Sequence, residues 1–455
     1  MIRQHNYINP VMIPNTRKKF SLRSYLTGLA STSLGRNTMW GFGGYGLRLV
    51  LQAAYFIIIA RCLGPGKYGA FIAATALAAV ISPFVGLGSG NLLIKNVARD
   101  ERLFREYWGN GLLMTLLSGL VLVFIAVPLC RLILPHTIPL MAIFLLSISD
   151  LIFVKFLDMA AWAFQAFERL SNTAALNVLV SLTRLVGIVI LAIRFSHPSM
   201  LAWAVVYLAG SVLAATIGVL WVTLSLGTPR LALHRLRGEG SEGFYFSFSL
   251  SAQTIYNDID KTMMARLSTL DAAGIYAAAY RLIDVAFIPV RALLNAAYPG
   301  FFRAGAGGIQ ASMNYGQRLL RKILPYSLFA FAALMMGAPI VPHILGRDYA
   351  NVTEALRWLA LLPILKTLHY FIADSLTGAG HQGLRTFIQT GVAVFNIMIN
   401  LWLIPRYGWR GAAWSSLASD GLLLLGLWLA ANYLRRLTSL GRQQIPVEAA
   451  FAGRP

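Results

Sequence analysis

The chain has 455 residues, of which 57% are hydrophobic and only 12% charged, and its mean hydropathy is +0.64. Soluble domains carry about 25% charged residues, so this composition excludes a soluble enzyme and describes an integral membrane protein. The net charge of +22 would suit nucleic acid, but its distribution along the chain is topological and argues against that partner.

Residues 1–37 are polar and basic (Arg17, Lys18, Lys19, Arg23, Arg36), with no apolar core ahead of the first span. The expectation is a cytoplasmic tail lying against anionic headgroups and no cleavable signal peptide. Apolar stretches of spanning length then predict helices over 38–60, 70–94, 107–130, 138–163, 174–193 and 200–226. A linker at 227–243 follows. Six more helices are predicted over 244–265, 272–299, 323–345, 355–377, 386–404 and 411–434, and a cytoplasmic tail at 437–455 closes the chain. No stretch between spans is long enough for a separate soluble domain. With the N-terminus inside, the cytoplasmic segments carry 23 of the 39 Lys and Arg and the outer loops 8, with 8 left in the spans. That bias orients the chain with both termini in the cytoplasm.

The first and seventh spans end in related segments. Ala60, Arg61, Gly69 and Phe71 align without gaps on Ala265, Arg266, Gly274 and Tyr276. Weaker matches after the fourth and tenth spans and at the ends of the fifth and eleventh support the same repeat. Two six-helix bundles, 38–226 and 244–436, are therefore expected, related by an axis along the membrane normal with a substrate path between them.

Ionisable groups inside spans cost roughly 2.5–3.5 kcal/mol each on insertion scales and persist where they pair or function. In the first span, Tyr45, Arg48, Gln52 and Tyr55 share a helix face. In the seventh, Gln253, Thr254, Asn257, Asp260 and Lys261 do so, with Asp258 at the edge. In the eighth, Arg281, Asp284, Arg291, Asn295 and Tyr298 form a third stripe. Its counterpart in the second span holds Gly86, Gly88, Ser89, Gly90 and Asn91, small residues that allow close helix approach or leave room for a ligand.

Arg48 and Arg291 have no carboxylate near them in sequence, so they are expected either to contact an anion or to pair across the seam. Arg281 and Lys261 complete the candidate anion site, with Gln52, Asn257 and Asn295 as neutral cavity groups. Asp258, Asp260 and Asp284 are the candidates for binding a coupling proton or cation. Local pairs such as Arg281 with Asp284, or Lys155 with Asp158, would equally neutralise themselves along one helix. Lys366, His369, Asp374, Arg184 and Asp420 are further intramembrane ionisable groups, any of which could stabilise bundle packing. Asp258 and Asp260 also spell D-x-D, discounted because no nucleotide-binding domain surrounds them. No nucleotide-binding or metalloprotease motif is present, and Cys62 and Cys130 lack metal or redox spacing. No catalytic residue, metal or cofactor is expected.

Several segments resemble bacterial polysaccharide flippases (O-antigen and oligosaccharide-lipid carriers) of the multidrug/oligosaccharidyl-lipid/polysaccharide exporter superfamily. They are Leu63-Gly64-Pro65-Gly66-Lys67-Tyr68-Gly69 with Gly86-Leu87-Gly88-Ser89-Gly90, and Asp260-Lys261 followed by Ala273 to Arg281. Asn400 to Gly408 leading into Gly411-Ala412-Ala413 completes the set. The resemblance runs from about residue 38 to 436. It implies a V-shaped transporter in the inner membrane, with spans 1, 2, 7 and 8 facing a central cavity. It also implies a cargo, an oligosaccharide on polyprenyl pyrophosphate carried to the outer leaflet during polysaccharide biosynthesis. A polymerase and chain-length machinery would be partners. A cation-coupled drug or small-molecule exporter of the same superfamily is the alternative. A peptidoglycan-precursor flippase would have fourteen spans, and a glycan polymerase or ligase would need a large outer loop.

Overall fold

A computed structural model describes residues 33–232 and 258–443, together with Ser247, Ser251 and Thr254. Among these residues every regular element is helical. Helix α1 (Ser33–Ile81) runs through the first expected span and into the second, and is broken at Gly64, where φ is 71° and Pro65 follows. Glycine tolerates that left-handed conformation and proline removes a helical donor, so the chain changes direction there. A short 3-10 segment, Ser82–Gly88, links α1 to α2 (Ser89–Val97). Next come α3 (Phe104–Ile133), α4 (Leu140–Ile148), α5 (Val154–Ala166), α6 (Leu170–Arg194) and α7 (Met200–Leu226). A π-helical turn, Ser149–Phe153, joins α4 to α5 within one span.

The second half contains α8 (258–267), α9 (Leu270–Gly305), α10 (Ile309–Gly337) and the short α11 (Val341–Leu345). It finishes with α12 (Val352–Leu359), α13 (Leu362–Gly378), α14 (Gln382–Tyr407) and α15 (Trp409–Gln443). The tenth expected span is bent by 40° between α12 and α13, where Pro363 in the first turn of α13 has no amide hydrogen to donate.

Eight helical stretches among the described residues are long and apolar enough to cross a membrane, and the bent pair makes nine. The difference from twelve has physical causes. Gly46–Val97 counts once although it contains both legs of α1. Helix α9 is not among the eight, and much of the seventh span lies outside the described residues.

The repeat-related turns pack against each other. A Cβ on Gly69 would lie 1.9 Å from the Leu270 carbonyl oxygen, and one on Gly274 would lie 2.0 Å from that of Pro65. Each copy's glycine thus admits the other copy's backbone. Around this crossing, Phe56, Ile59, Phe71, Met264, Tyr276 and Tyr349 form a buried core shared by both halves of the sequence. The Tyr349 hydroxyl donates to the Ala60 carbonyl at 3.1 Å.

Separate cores lie within each half, around Trp108 and Phe164 in the first and around Met313 and Leu427 in the second. Gly90 resolves the small-residue stripe in favour of close approach, since a Cβ there would sit 1.8 Å from the Trp162 ring. The outer surface exposes Phe124, Leu132, Leu224, Met336 and Phe387, as a lipid-facing exterior requires.

Candidate functional site: a charged cavity between the halves

The three polar stripes converge on a cavity of about 440 Å³. Helix α1 contributes Gln52, Ala53 and Phe56; α8 contributes Asp258 and Lys261; and α9 contributes Tyr280, Arg281, Asp284 and Arg291. Lys366 and Tyr370 of α13 complete the polar wall, and Ile344 and Leu345 of α11 close an apolar side. Six of the expected site residues (Gln52, Asp258, Lys261, Arg281, Asp284 and Arg291) therefore come together.

The bonding within the cavity explains which charges neutralise one another. Arg281 Nη2 donates to Gln52 Oε1 at 3.3 Å, across the seam between the halves, and no ion pair to Asp284 forms. Lys261 is paired with Asp258 along α8. Tyr280 lies between two ammonium groups, with Lys261 Nζ and Lys366 Nζ each 5.1 Å from its ring centroid. The Arg291 guanidinium is 5.8 Å from the Phe287 ring and exposed. Four cations (Lys261, Arg281, Arg291, Lys366) face two carboxylates (Asp258, Asp284), so the lining carries an excess of two positive charges. Arg281 and Arg291 are ten residues apart, about 15 Å along the helix axis.

Other expected members lie elsewhere. Arg48 is absent from the lining, and its Nη1 donates to Asn177 Oδ1 on α6 at 3.1 Å. The cavity face of α1 (Leu49, Gln52, Ala53, Phe56, Ile57) is centred about 100° around the axis from Arg48. Tyr55, on the Arg48 side, packs 5.8 Å from the Trp203 ring of α7. Asn295 is exposed and outside the lining, as is Tyr298, and Asn257 lies outside the described residues.

Asp260 is buried behind the cavity. Its carboxylate accepts from the Tyr276 hydroxyl and from the Lys261 amide at 2.8 Å, and Tyr276 also meets Ser416 Oγ at 2.8 Å. Beside it, Asn400 Nδ2 donates to Asn396 Oδ1 at 3.0 Å, and Asn396 Nδ2 donates to Ser419 Oγ at 2.9 Å.

Most of the remaining intramembrane charges are paired. Lys155 bridges Asp158 at 3.1 Å, Arg184 approaches Asp150 at 3.7 Å, His369 meets Asp420 at 2.9 Å and Arg385 meets Asp374 at 3.0 Å. Lys366 differs, because it has no carboxylate at ion-pair distance among the described residues and its side chain lines the cavity. A sequence signal existed in the i, i+4 spacing of Lys366 and Tyr370, which puts a cation and an aromatic on one face. The neighbouring His369 and Asp374 obscured it.

The architecture is that of a multi-pass membrane protein. A solved structure described as the lipid II flippase MurJ in an inward closed conformation superposes with a TM-score of 0.71, at 12% identity, covering 87% of each chain. An inward-facing multidrug resistance MATE family transporter of the MOP superfamily gives 0.66 at 14% identity, covering 88% of this chain and 96% of that one. Likeness at such identities establishes the fold alone.

The chain belongs to the polysaccharide biosynthesis protein family, whose model matches residues 34–304. A relative named "Probable low-salt glycan biosynthesis flippase Agl15", from Haloferax volcanii, is 23% identical over 276 residues, which is 60% of this chain. The match spans 57% of that relative's length.

Proposed function

We propose that this protein is a flippase that carries an oligosaccharide linked to polyprenyl pyrophosphate from the cytoplasmic to the outer leaflet of the inner membrane. The observation that carries the reading is the cavity between the halves, where four cations face two carboxylates. A charged headgroup placed in hydrocarbon loses its hydration at a cost of tens of kcal/mol by Born solvation. Guanidinium and ammonium donors lining a polar passage replace that hydration with charge-assisted bonds. In this scheme Arg281, Lys261 and Lys366 form the inner part of the anion site, and Arg291, further along α9, meets the headgroup first.

The positive-inside bias puts the Gly69–Gly274 crossing on the outer side and both termini in the cytoplasm, so the cavity is entered from within. Rocking of the 38–226 and 244–436 bundles about that crossing, with 227–243 as the connecting linker, would supply alternating access. Asp260, held by Tyr276 beside the Asn396–Asn400–Ser419 cluster, is the candidate for ion coupling, and Asp258 and Asp284 are coupled to it through Lys261. A polymerase and chain-length machinery would take up the delivered product.

A cationic-drug exporter is disfavoured by the same charge balance, because a positive lining repels such a cargo. The test is flipping of a fluorescent polyprenyl-pyrophosphate oligosaccharide in proteoliposomes, with a tetraphenylphosphonium efflux assay in parallel. Flipping by the wild type that is lost in Arg281→Ala and Arg291→Ala, at normal protein levels, supports the reading. Efflux of the organic cation without flipping would overturn it.

A further inference from the structure

A second concave feature lies within the first half and faces outward. It is a groove of about 540 Å³ walled by α3 and α7, with Leu112, Leu116 and Leu220 along its sides and Phe153 and Phe156 among its lining residues. Leu116 and Leu220 are exposed, so the groove opens towards the lipid. Pro229 and Leu231, from the start of the linker, also line it.

That strap is built in. The Ala232 amide donates to Asn110 Oδ1 at 2.9 Å, and Asn110 Nδ2 donates to the Ala232 carbonyl at 2.9 Å, both in buried surroundings. The Arg230 amide donates to the Arg105 carbonyl at 2.8 Å. Gly109 makes the approach feasible, since a Cβ there would lie 2.4 Å from the Arg230 carbonyl oxygen. The outcome is an apolar groove whose strap and α3 wall carry two arginines, Arg105 and Arg230, whose backbones are hydrogen-bonded to each other at the groove's edge. Both are exposed and neither forms an ion pair among the described residues.

We propose that this groove binds an anionic glycerophospholipid, with one acyl chain lying along Leu112, Leu116 and Leu220 and the phosphate held by Arg105 and Arg230. The volume falls within the range of specific small-molecule sites, about 300–1,000 Å³. The chemistry matches both ends of such a lipid. The groove walls are mainly leucine and phenylalanine, and a guanidinium group on each of α3 and the strap offers forked donors suited to phosphate. Because the strap is the first segment of the chain joining the two halves, an occupied groove would hold that segment against α3.

The test uses phosphatidylglycerol bearing a photoactivatable diazirine on one acyl chain, presented to the full-length protein in phosphatidylcholine vesicles. Labelled peptides are mapped by mass spectrometry. The expected result is labelling concentrated on 112–116, 216–220 and 229–231. Unlabelled phosphatidylglycerol should compete for that labelling and phosphatidylcholine should not. The double variant Arg105→Gln/Arg230→Gln should reduce it about 30-fold, the loss expected for two membrane-surface cations. Leu112→Trp, which fills the groove and leaves the charges in place, should abolish labelling there.

Labelling spread evenly over the lipid-facing helices would overturn the proposal. So would equal competition by phosphatidylcholine, or competition by a polyprenyl phosphate alone. The competition arm uses only the wild-type protein and is independent of how the variants fold.

Discussion

Lys366 provides the sharpest test of the cavity. Replacing it with methionine keeps most of the unbranched apolar stem and removes the charge. The ammonium forms no close ion pair among the described residues and rests 5.1 Å from the Tyr280 ring centroid. The substitution therefore leaves no tightly paired carboxylate behind, and the folded state loses a cation–π contact of about 0.5–1 kcal/mol. Towards an anionic headgroup the loss is larger, because a hydrogen bond to a charged group contributes about 1.5–3 kcal/mol. Flipping at limiting substrate should then fall about 10- to 150-fold. Lys366→Arg should retain most of the activity, and the denaturation midpoint in detergent should barely move in either variant. Lys261→Met is a useful contrast, because it also strands Asp258, its ion-pair partner, and should lower stability as well. Initial rates with the fluorescent lipid-linked oligosaccharide in proteoliposomes, corrected for the amount of folded protein, give the measurement. Wild-type flipping by Lys366→Met would refute the assignment of this residue to the anion site.

Three further outcomes follow from the geometry. Arg48→Ala should keep flipping per folded molecule near wild type and lower stability by about 1–2 kcal/mol, since it breaks a hydrogen bond to Asn177 away from the lining; a transport defect with unchanged stability would return Arg48 to the cavity. Gly274→Ala places a methyl group 2.0 Å from the Pro65 carbonyl oxygen and should destabilise by about 1–3 kcal/mol through overpacking, read as a lower midpoint in a thermal unfolding assay. An unchanged midpoint would disprove the backbone crossing. Arg385→Ala leaves the buried Asp374 without its 3.0 Å partner and should cost about 3–5 kcal/mol. The double variant with Asp374→Asn should regain much of that stability, and a double variant as unstable as the single one would refute the stranded carboxylate as the source of the loss.

Membrane class, the order of the helices and the polar face of α9 were legible in the chain, because hydrophobic length and the 3.6-residue period are local properties. The same locality made Gln52, Lys261 and Arg281 identifiable as neighbours, once the offset between Arg61 and Arg266 had revealed a repeat. Local rules could not set the rotation of α1 about its axis. Arg48 and Gln52 are four residues apart on one polar face, yet the packing of α1 against α6 turns the first towards Asn177 and leaves the second on the cavity. Nor could they separate Lys366 from His369 and Asp374. All three are ionisable groups in one span, and only the positions of Asp420 and Arg385 on other helices decide that the latter two are paired. Spacing along the chain determined which residues share a helix face. The tertiary structure decided what each face meets, because a polar group's role inside a membrane depends on the partner that replaces its lost water, and that partner comes from a distant part of the chain.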